Sequence, residues 1–209
     1  MHRYTRLLLT SLAATAIMAL ALSSASARNL SVNSANFRVT WASLNLANNL
    51  GFPTVSCPVT LEGTFHRQTI TKVPNTLIGY ITRAIVNGAR PPCTGGTATI
   101  KNETLPWHLT YTGFRGTLPR ITEVDVLLVG AGFAVTTGET TCTAKTETRQ
   151  PAGGILTLGA EGRVTGLVAD PTRQITLVGG LCVFGRGNFS GTGTVTQLGN
   201  STPITITLI

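Results

Sequence analysis

The chain has 209 residues with a formal net charge of +8, and 42% of the residues are hydrophobic, 11% charged and 6% aromatic. This length allows one sizeable core or two small domains. The basic residues are scattered, without a run of even three, and this pattern usually serves solubility. The composition therefore argues against a nucleic-acid partner or another dedicated anion site.

The first 27 residues have the three parts of a secretory signal peptide. A basic start is followed by an apolar run at residues 7–22 and by an Ala-Ser-Ala cleavage site at residues 25–27. The apolar run is shorter than the roughly 20 residues of a membrane-spanning helix. We therefore predict a signal helix over residues 1–27, removed on export, and a single disulfide-bonded domain over residues 28–209.

The sequence predicts no membrane anchor once the signal peptide has been removed. No Cys for lipid attachment stands beside the cleavage site, and no second apolar run reaches about 18 residues. The C-terminal residues show neither a sorting signal nor a lipid-anchor signal. We expect a secreted, extracellular protein, with retention at the cell envelope as the alternative.

Apolar and polar residues alternate along most of the cleaved chain, as expected for strands with one buried and one hydrated face. In chain order, the clearest alternating segments are residues 37–42, 59–66, 121–128, 175–183 and 204–208. Residues 77–86 have spacing that also suits a helix, but their β-branched content favours a strand. With Gly and Pro between short segments, we predict an all-β, antiparallel β-sandwich, jelly-roll or Ig-like, of roughly ten to twelve strands.

The four cysteines are Cys57, Cys93, Cys142 and Cys182. An even number in an exported chain predicts two disulfides, for which three pairings are possible. We predict Cys57–Cys93 and Cys142–Cys182, which pair nearest neighbours in the sequence. A zinc site is disfavoured, because no Cys-x-x-Cys spacing is present and only two histidines remain after cleavage. We predict no metal and no cofactor.

Patterns typical of catalysis are scarce in this chain. It has no Gly-x-Ser-x-Gly motif, and its cysteines are expected to be bonded. The glycine-rich residues 185–191 lack the lysine of a phosphate-binding loop and predict a bulged strand or turn. Glu123 and Asp125 would lie about 6–7 Å apart on one strand face, within glycosidase range, but are better explained as solvated carboxylates. We predict that the protein is not an enzyme.

Four residues are the best candidates for a ligand site: His66, Trp107, His108 and Tyr111. Trp107 and Tyr111 share one face of a predicted strand. That face is either part of the core or an aromatic platform for a sugar ring or an acyl chain. His108 lies on the opposite, polar face, and His66 points outward if Phe65 is buried.

Two segments resemble secreted β-rich proteins of high-GC Gram-positive (actinobacterial) bacteria. They are residues 56–66, SCPVTLEGTFH, and residues 105–122, LPWHLTYTGFRGTLPRIT. The resemblance spans residues 37–190. Because that group has no established function, the resemblance implies export, β structure and disulfides, and it transfers no catalytic residue. It also argues against an outer-membrane barrel, since these bacteria mostly lack an outer membrane.

We expect a secreted non-catalytic module with a binding or structural role, and a cell-wall glycan or a lipid as its candidate partner. One alternative is a secreted hydrolase of polysaccharide or ester, which needs His66 or His108 beside a carboxylate or serine. A second alternative is an outer-membrane-type β-barrel, suggested by the alternating residues 202–209. Such barrels need many Trp and Tyr at their strand ends, and the cleaved chain is poor in both.

Overall fold

The computed structural model describes residues 29–86, 93–182 and 185–209. The predicted signal peptide, residues 1–27, lies outside these described residues. Strands dominate the described parts, and their helical segments are short 3-10 turns at Asn102–Thr104, Ala160–Gly162 and Gly180–Cys182. The all-β prediction is confirmed. No helix within the described ranges is long and apolar enough to cross a membrane.

Fifteen strands lie in the described residues, more than the ten to twelve expected. Every pairing between them is antiparallel, as predicted. They are β1 (Asn29–Val32), β2 (Asn36–Asn48), β3 (Val55–Phe65), β4 (Thr69–Thr71), β5 (Thr76–Val86), β6 (Thr97–Ile100), β7 (Trp107–Arg115), β8 (Glu123–Val129), β9 (Gly132–Thr137), β10 (Thr140–Lys145), β11 (Ala152–Leu158), β12 (Val164–Asp170), β13 (Ile175–Val178), β14 (Gly185–Gln197) and β15 (Ile206–Leu208).

Eight of these strands close into a barrel, in the order β2, β3, β5, β7, β8, β11, β12 and β14. The ring closes because β14 pairs with β12 on one side and with β2 on the other. The order around the barrel is the order along the chain, which is an up-and-down topology. The predicted jelly-roll or Ig-like sandwich is therefore wrong. Alternation sets which face of a strand is buried, but not whether the sheet packs on a second sheet or closes on itself.

A further group of strands stands at one end of the barrel, called here the upper end. There the first residues of β14 pair with β13 instead of β12, and the sheet continues from β13 through β10 and β9 to β6. A bridge between Ser56 and Thr94 links β3 to the segment before β6. These strands cover the upper end, and Phe133 of β9 reaches the barrel interior.

A three-stranded sheet of β15, β1 and β4 lies at the opposite, lower end. It stands where β2 begins and where β3 ends, so it meets the barrel at the first and last residues of those strands. Its apolar side chains are almost completely buried: Leu30, Val32, Ile70 and Ile206. The barrel is therefore covered at both ends by strands outside its ring.

Both predicted disulfides are confirmed, and no described cysteine is free. Cys57 of β3 is bonded to Cys93, which precedes β6, so this bond fixes the upper strands to the barrel wall. Cys142 of β10 is bonded to Cys182 in the turn that follows β13. Two disulfides indicate that the protein matures in an oxidising environment.

Removing the Cys57–Cys93 bond should lower the stability of the fold. In the double variant Cys57→Ala/Cys93→Ala, we expect the free energy of unfolding to fall by about 4 kcal/mol, because the unfolded chain loses a cross-link. The bonded residues are 36 positions apart. Urea unfolding followed by circular dichroism measures this loss. Removing the Cys142–Cys182 bond, whose residues are 40 positions apart, is the matched comparison and should give a loss of the same size. Losses below about 1 kcal/mol for both pairs would contradict the expectation.

Candidate functional site

The barrel interior, called here the lumen, is apolar, whereas the outer wall carries polar and charged side chains. On β2, Phe37, Val39 and Trp41 are buried, and Arg38 and Thr40 between them lie outside. The same alternation places Val124 and Val126 of β8 inside and Glu123 and Asp125 outside. A transmembrane barrel has the reverse arrangement, with an apolar outer band and a polar interior.

The lumen contains a cavity of about 90 Å³. Phe37, Phe65, Ile204 and Ile206 line its lower part, and Phe133 and Phe189 line its upper part. The wall between them is formed by aliphatic side chains and glycines of the barrel strands. Its lining includes Val126, Leu128, Ala152, Gly153, Gly154, Leu156, Leu167 and Ala169. Among the described lining residues, none has a titratable side chain, and Trp41 alone has a polar side-chain atom.

Small residues on one side of the barrel explain this cavity. An eight-stranded barrel is just wide enough for large side chains to fill it, or for one small ligand. Ala152 and Gly154 of β11 and Ala169 of β12 line the lumen. Gly154 pairs with Ala169 on one side and with Val126 on the other. Because these inward positions carry almost no side chain, the interior is not filled at their level.

Aromatic rings close the upper part of the lumen. The Phe133 ring lies 5.3 Å from the Trp107 ring and 5.4 Å from the Phe189 ring, between centroids. A second cavity of about 20 Å³ lies above them, and its lining shares Leu44, Phe133 and Phe189 with the first. These rings therefore separate two apolar spaces.

The structure places the predicted aromatic residues in the core. Trp107 is fully buried and Tyr111 is 2% exposed, so neither presents a ring face at the surface. The Trp107 Nε1–H group donates a hydrogen bond to Thr104 Oγ1 at 2.8 Å. Burial raises the pKa of Tyr111, and the nearby Asp125 carboxylate adds to this effect. Of the two alternatives given for this strand face, core or aromatic platform, both residues therefore belong to the core.

The two predicted histidines lie close to each other on the outer wall, on either side of Tyr80. The Tyr80 ring centroid lies 4.7 Å from that of His66 and 5.4 Å from that of His108. These side chains come together because β3, β5 and β7 are neighbours in the sheet, and no local pattern in the sequence predicts this proximity. Neither histidine lines the cavities described above. Within residues 29–86, 93–182 and 185–209, no His, Cys, Asp or Glu side chains group as metal ligands.

Sequence reasoning missed the lumen and with it Trp41, the polar residue in its lining. The alternating segment at residues 37–42 includes Trp41, but no residue of that segment was selected as a candidate. One signal was available in the Gly-Thr-Gly-Thr run of residues 191–194. Alternating glycines put no side chain on one face of a strand. In the barrel that face makes room for the Trp41 ring, two carbons of which would lie 2.8 Å from a Cβ atom on Gly193.

Charges on the outer wall form two compact clusters. Glu62 accepts hydrogen bonds from Arg38 and Arg83, with nitrogen–oxygen distances of 2.9 and 3.2 Å. Arg115 lies 3.0 Å from Glu123 and 3.5 Å from Asp125, between its guanidinium and their carboxylate oxygens. The two carboxylates that suggested a glycosidase pair therefore share one arginine. Both clusters join neighbouring strands of the barrel.

Glu62 should make stability depend on pH. Burial raises the pKa of this carboxyl group, but hydrogen bonds from Arg38 and Arg83 outweigh burial, so the pKa lies below 4.5. A lowered pKa in the folded state stabilises the protein above the unfolded-state pKa, and this stabilisation is lost as the pH falls through the folded-state value. We expect Glu62→Gln to cost about 1–2 kcal/mol at pH 7 and much less at pH 3.

Urea unfolding of the wild type and the Glu62→Gln variant at both pH values measures this difference. Glu139→Gln is the control, because Glu139 lies exposed in the turn between β9 and β10. The control should match the wild type at each pH. An equal cost for Glu62→Gln at pH 7 and at pH 3 would show that the charge of Glu62 contributes nothing.

Comparison with known proteins assigns no family to this chain. No family model, curated protein or solved structure matches it. The resemblance to secreted proteins of high-GC Gram-positive bacteria therefore stays a prediction. The chemistry of the lumen is the best guide to function, since it is an apolar space at the centre of the fold.

Proposed function

We propose that this protein is an exported, non-catalytic binding module that holds a small apolar ligand in the lumen of its barrel. The observation that carries the proposal is the cavity of about 90 Å³ with its apolar lining. Moving apolar surface from water into such a space is favourable by about 25 cal/mol per Å². Empty apolar cavities in other proteins stay dry and bind small molecules such as benzene or xenon.

The size of the cavity limits the ligand. Its volume of about 90 Å³ is smaller than the roughly 150 Å³ of an engineered apolar cavity that binds benzene. Pockets for drug-sized ligands start at about 300 Å³. The ligand, or the part of it that enters the lumen, is therefore a small ring or the end of an acyl chain. Of the two partner classes expected from the sequence, this favours a lipid over a glycan.

A binding role without catalysis agrees with the chemistry of the lumen. General acids, bases and nucleophiles need titratable or nucleophilic side chains beside the substrate. The described lining residues supply none, and His66 and His108 lie on the outer wall, away from the lumen. These placements support the non-catalytic proposal over the secreted hydrolase.

Export is supported by two independent features. The N-terminal residues have the pattern of a signal peptide. The two disulfides fit a protein that matures in an oxidising compartment. We therefore place the protein outside the cell or at the envelope, with the apolar ligand bound inside it. The polar outer wall supports this arrangement over the outer-membrane barrel.

Filling the cavity should abolish binding. We expect benzene or xenon to shift the methyl NMR signals of Val126, Leu128 and Leu156, which line the lumen. The variant Ala169→Leu places a larger side chain in this space, so its methyl signals should not respond. The matched control is Val168→Leu, the adjacent residue on β12. Val168 pairs with Ile155 and Thr192 and points away from the lumen.

The unliganded spectra show whether each variant keeps the fold. If Ala169→Leu does not fold because the extra volume overpacks the lumen, Ala152→Val replaces it on β11. The proposal requires a response in the wild type and in Val168→Leu. A wild-type protein that responds to neither benzene nor xenon would overturn it.

A further inference from the structure

A cleft of about 400 Å³ lies among the upper strands, outside the lumen. It is formed by the turn between β10 and β11 and by strands β13 and β14. The charged and polar side chains of its lining are Glu147, Arg149, Gln150, Thr176 and Arg186. Its described lining shares no residue with that of the lumen. The volume falls in the range of about 300–1,000 Å³ that is typical of small-molecule sites, so the cleft is large enough for a ligand of its own.

Strand pairing brings basic residues together at this cleft, although they are scattered in the sequence. Lys145 of β10 pairs with Thr176 of β13, and Thr176 pairs with Arg186 of β14. Residues directly opposite each other on neighbouring strands share one face of the sheet. Lys145 and Arg186 are therefore two strand spacings, or about 10 Å, apart on the face that lines the cleft. Arg149 lines the same cleft from the adjacent turn.

The arginines of the cleft differ from those of the barrel wall, because they have no anionic partner. On the wall, the clusters around Glu62 and Arg115 pair each arginine with a carboxylate. Within the described residues, neither Arg149 nor Arg186 makes an ion pair or a side-chain hydrogen bond. An unpaired guanidinium offers five N–H donors in a planar arrangement that matches the oxygens of a carboxylate or a phosphate. These two side chains are therefore available to an anionic ligand.

Hydrogen bonds hold the backbone that carries these donors. The turn is closed by Glu147 and Gln150, whose backbone groups exchange N–H···O bonds of 3.1 and 2.9 Å. The backbone N–H of Arg186 donates to Asn49 Oδ1 at 2.7 Å, and its carbonyl accepts from the Asn49 N–H at 3.0 Å. The Thr176 hydroxyl donates to Gln150 Oε1, which leaves the amide nitrogen of Gln150 as a further donor. The cleft is therefore preorganised at the backbone, which lowers the entropy cost of binding.

We propose that this cleft binds a phosphate monoester, carried either by a soluble molecule or by a lipid headgroup. Arg149 and Arg186 donate to the phosphate oxygens, and the Gln150 amide adds a neutral donor. With Lys145 beside the cleft and Glu147 within it, the local charge is three positive against one negative. A phosphate monoester carries a charge of about −1.5 to −2 at pH 7 and has three strong acceptor oxygens. The site is independent of the lumen and of the apolar ligand proposed for it.

Singly charged anions complement this cleft less well. A carboxylate has two oxygens and one negative charge, and a phosphate diester also has one charge. Each of them leaves part of the positive charge uncompensated. The Glu147 carboxylate repels any anion at this site, so it weakens binding without reversing the sign of the local charge. The cleft therefore favours the monoester over the diester and the carboxylate.

The test compares glycerol 3-phosphate, dimethyl phosphate and acetate at constant ionic strength. In ¹H–¹⁵N spectra of the wild type, we expect glycerol 3-phosphate to cause saturable shifts of the backbone amides of Gln150 and Arg186. The guanidinium Nε–H signals of Arg149 and Arg186 should shift with them. Dimethyl phosphate and acetate should bind about tenfold more weakly, because each carries a single charge.

Variants locate the site. We expect Arg149→Gln and Arg186→Gln each to weaken glycerol 3-phosphate binding at least about tenfold, the loss of a charge-assisted hydrogen bond. Glu147→Gln should strengthen binding several-fold, because it removes the repulsion. The matched control is Arg67→Gln, which loses the same charge at an exposed position between β3 and β4 and should bind like the wild type.

Vesicles of phosphatidylcholine with phosphatidic acid distinguish the two sources of the phosphate. Sedimentation of the wild type and of Arg67→Gln, but not of Arg149→Gln, assigns the monoester to a lipid headgroup. Binding of glycerol 3-phosphate without sedimentation assigns it to a soluble molecule.

The proposal is overturned if glycerol 3-phosphate causes no saturable shift, even if vesicles sediment the protein, since net positive charge alone attracts anionic vesicles. It is also overturned if Arg67→Gln weakens binding as much as Arg149→Gln does. Arg149 lies exposed in a turn, so its variant tests the cleft even if Arg186→Gln disturbs the pairing of β14. None of these results depends on whether the lumen binds benzene or xenon.

Discussion

The pairing of β14 with β12 and β2 is the contact on which the rest of the structure depends. Without it, the eight strands would form an open sheet with two exposed edges, and one face of that sheet would have no partner. Closure turns this face into a lumen, so that Phe37, Val39 and Trp41 pack against side chains of strands far away in the sequence. The buried core and the cavity both follow from this single ring closure.

The same strand also carries the upper part of the molecule. Residues 185–187 of β14 pair with β13, and residues 191–193 pair with β12. One strand therefore belongs both to the barrel and to the strands above it. Glycines at positions 185, 187, 191 and 193 let backbone and side-chain atoms of neighbouring segments approach this strand closely. The Cys57–Cys93 bond adds a covalent link between the same two parts. This arrangement holds Phe133 against the upper end of the lumen.

Much of the local structure could be predicted from the sequence, because alternation and cysteine spacing are local signals. The buried face of β2, the strand at residues 76–86 and both disulfide pairs are of this kind. Ring closure could not be predicted, because it joins Phe37 to Gln197 across most of the chain. The lumen could not be predicted for the same reason. Histidines are conspicuous in a sequence, whereas the contact between Trp41 and Gly193 exists only once the barrel has closed.

The boundary between the two apolar cavities affects how much space is available inside the barrel. Leu44, Phe133 and Phe189 line both the larger and the smaller cavity. The boundary is therefore made of side chains, which move between rotamers, and not of hydrogen-bonded backbone. Turning these rings aside would join the spaces without breaking any strand pair. The volume available inside the barrel then depends on the side-chain torsion angles of Leu44, Phe133 and Phe189, while the strand framework stays unchanged.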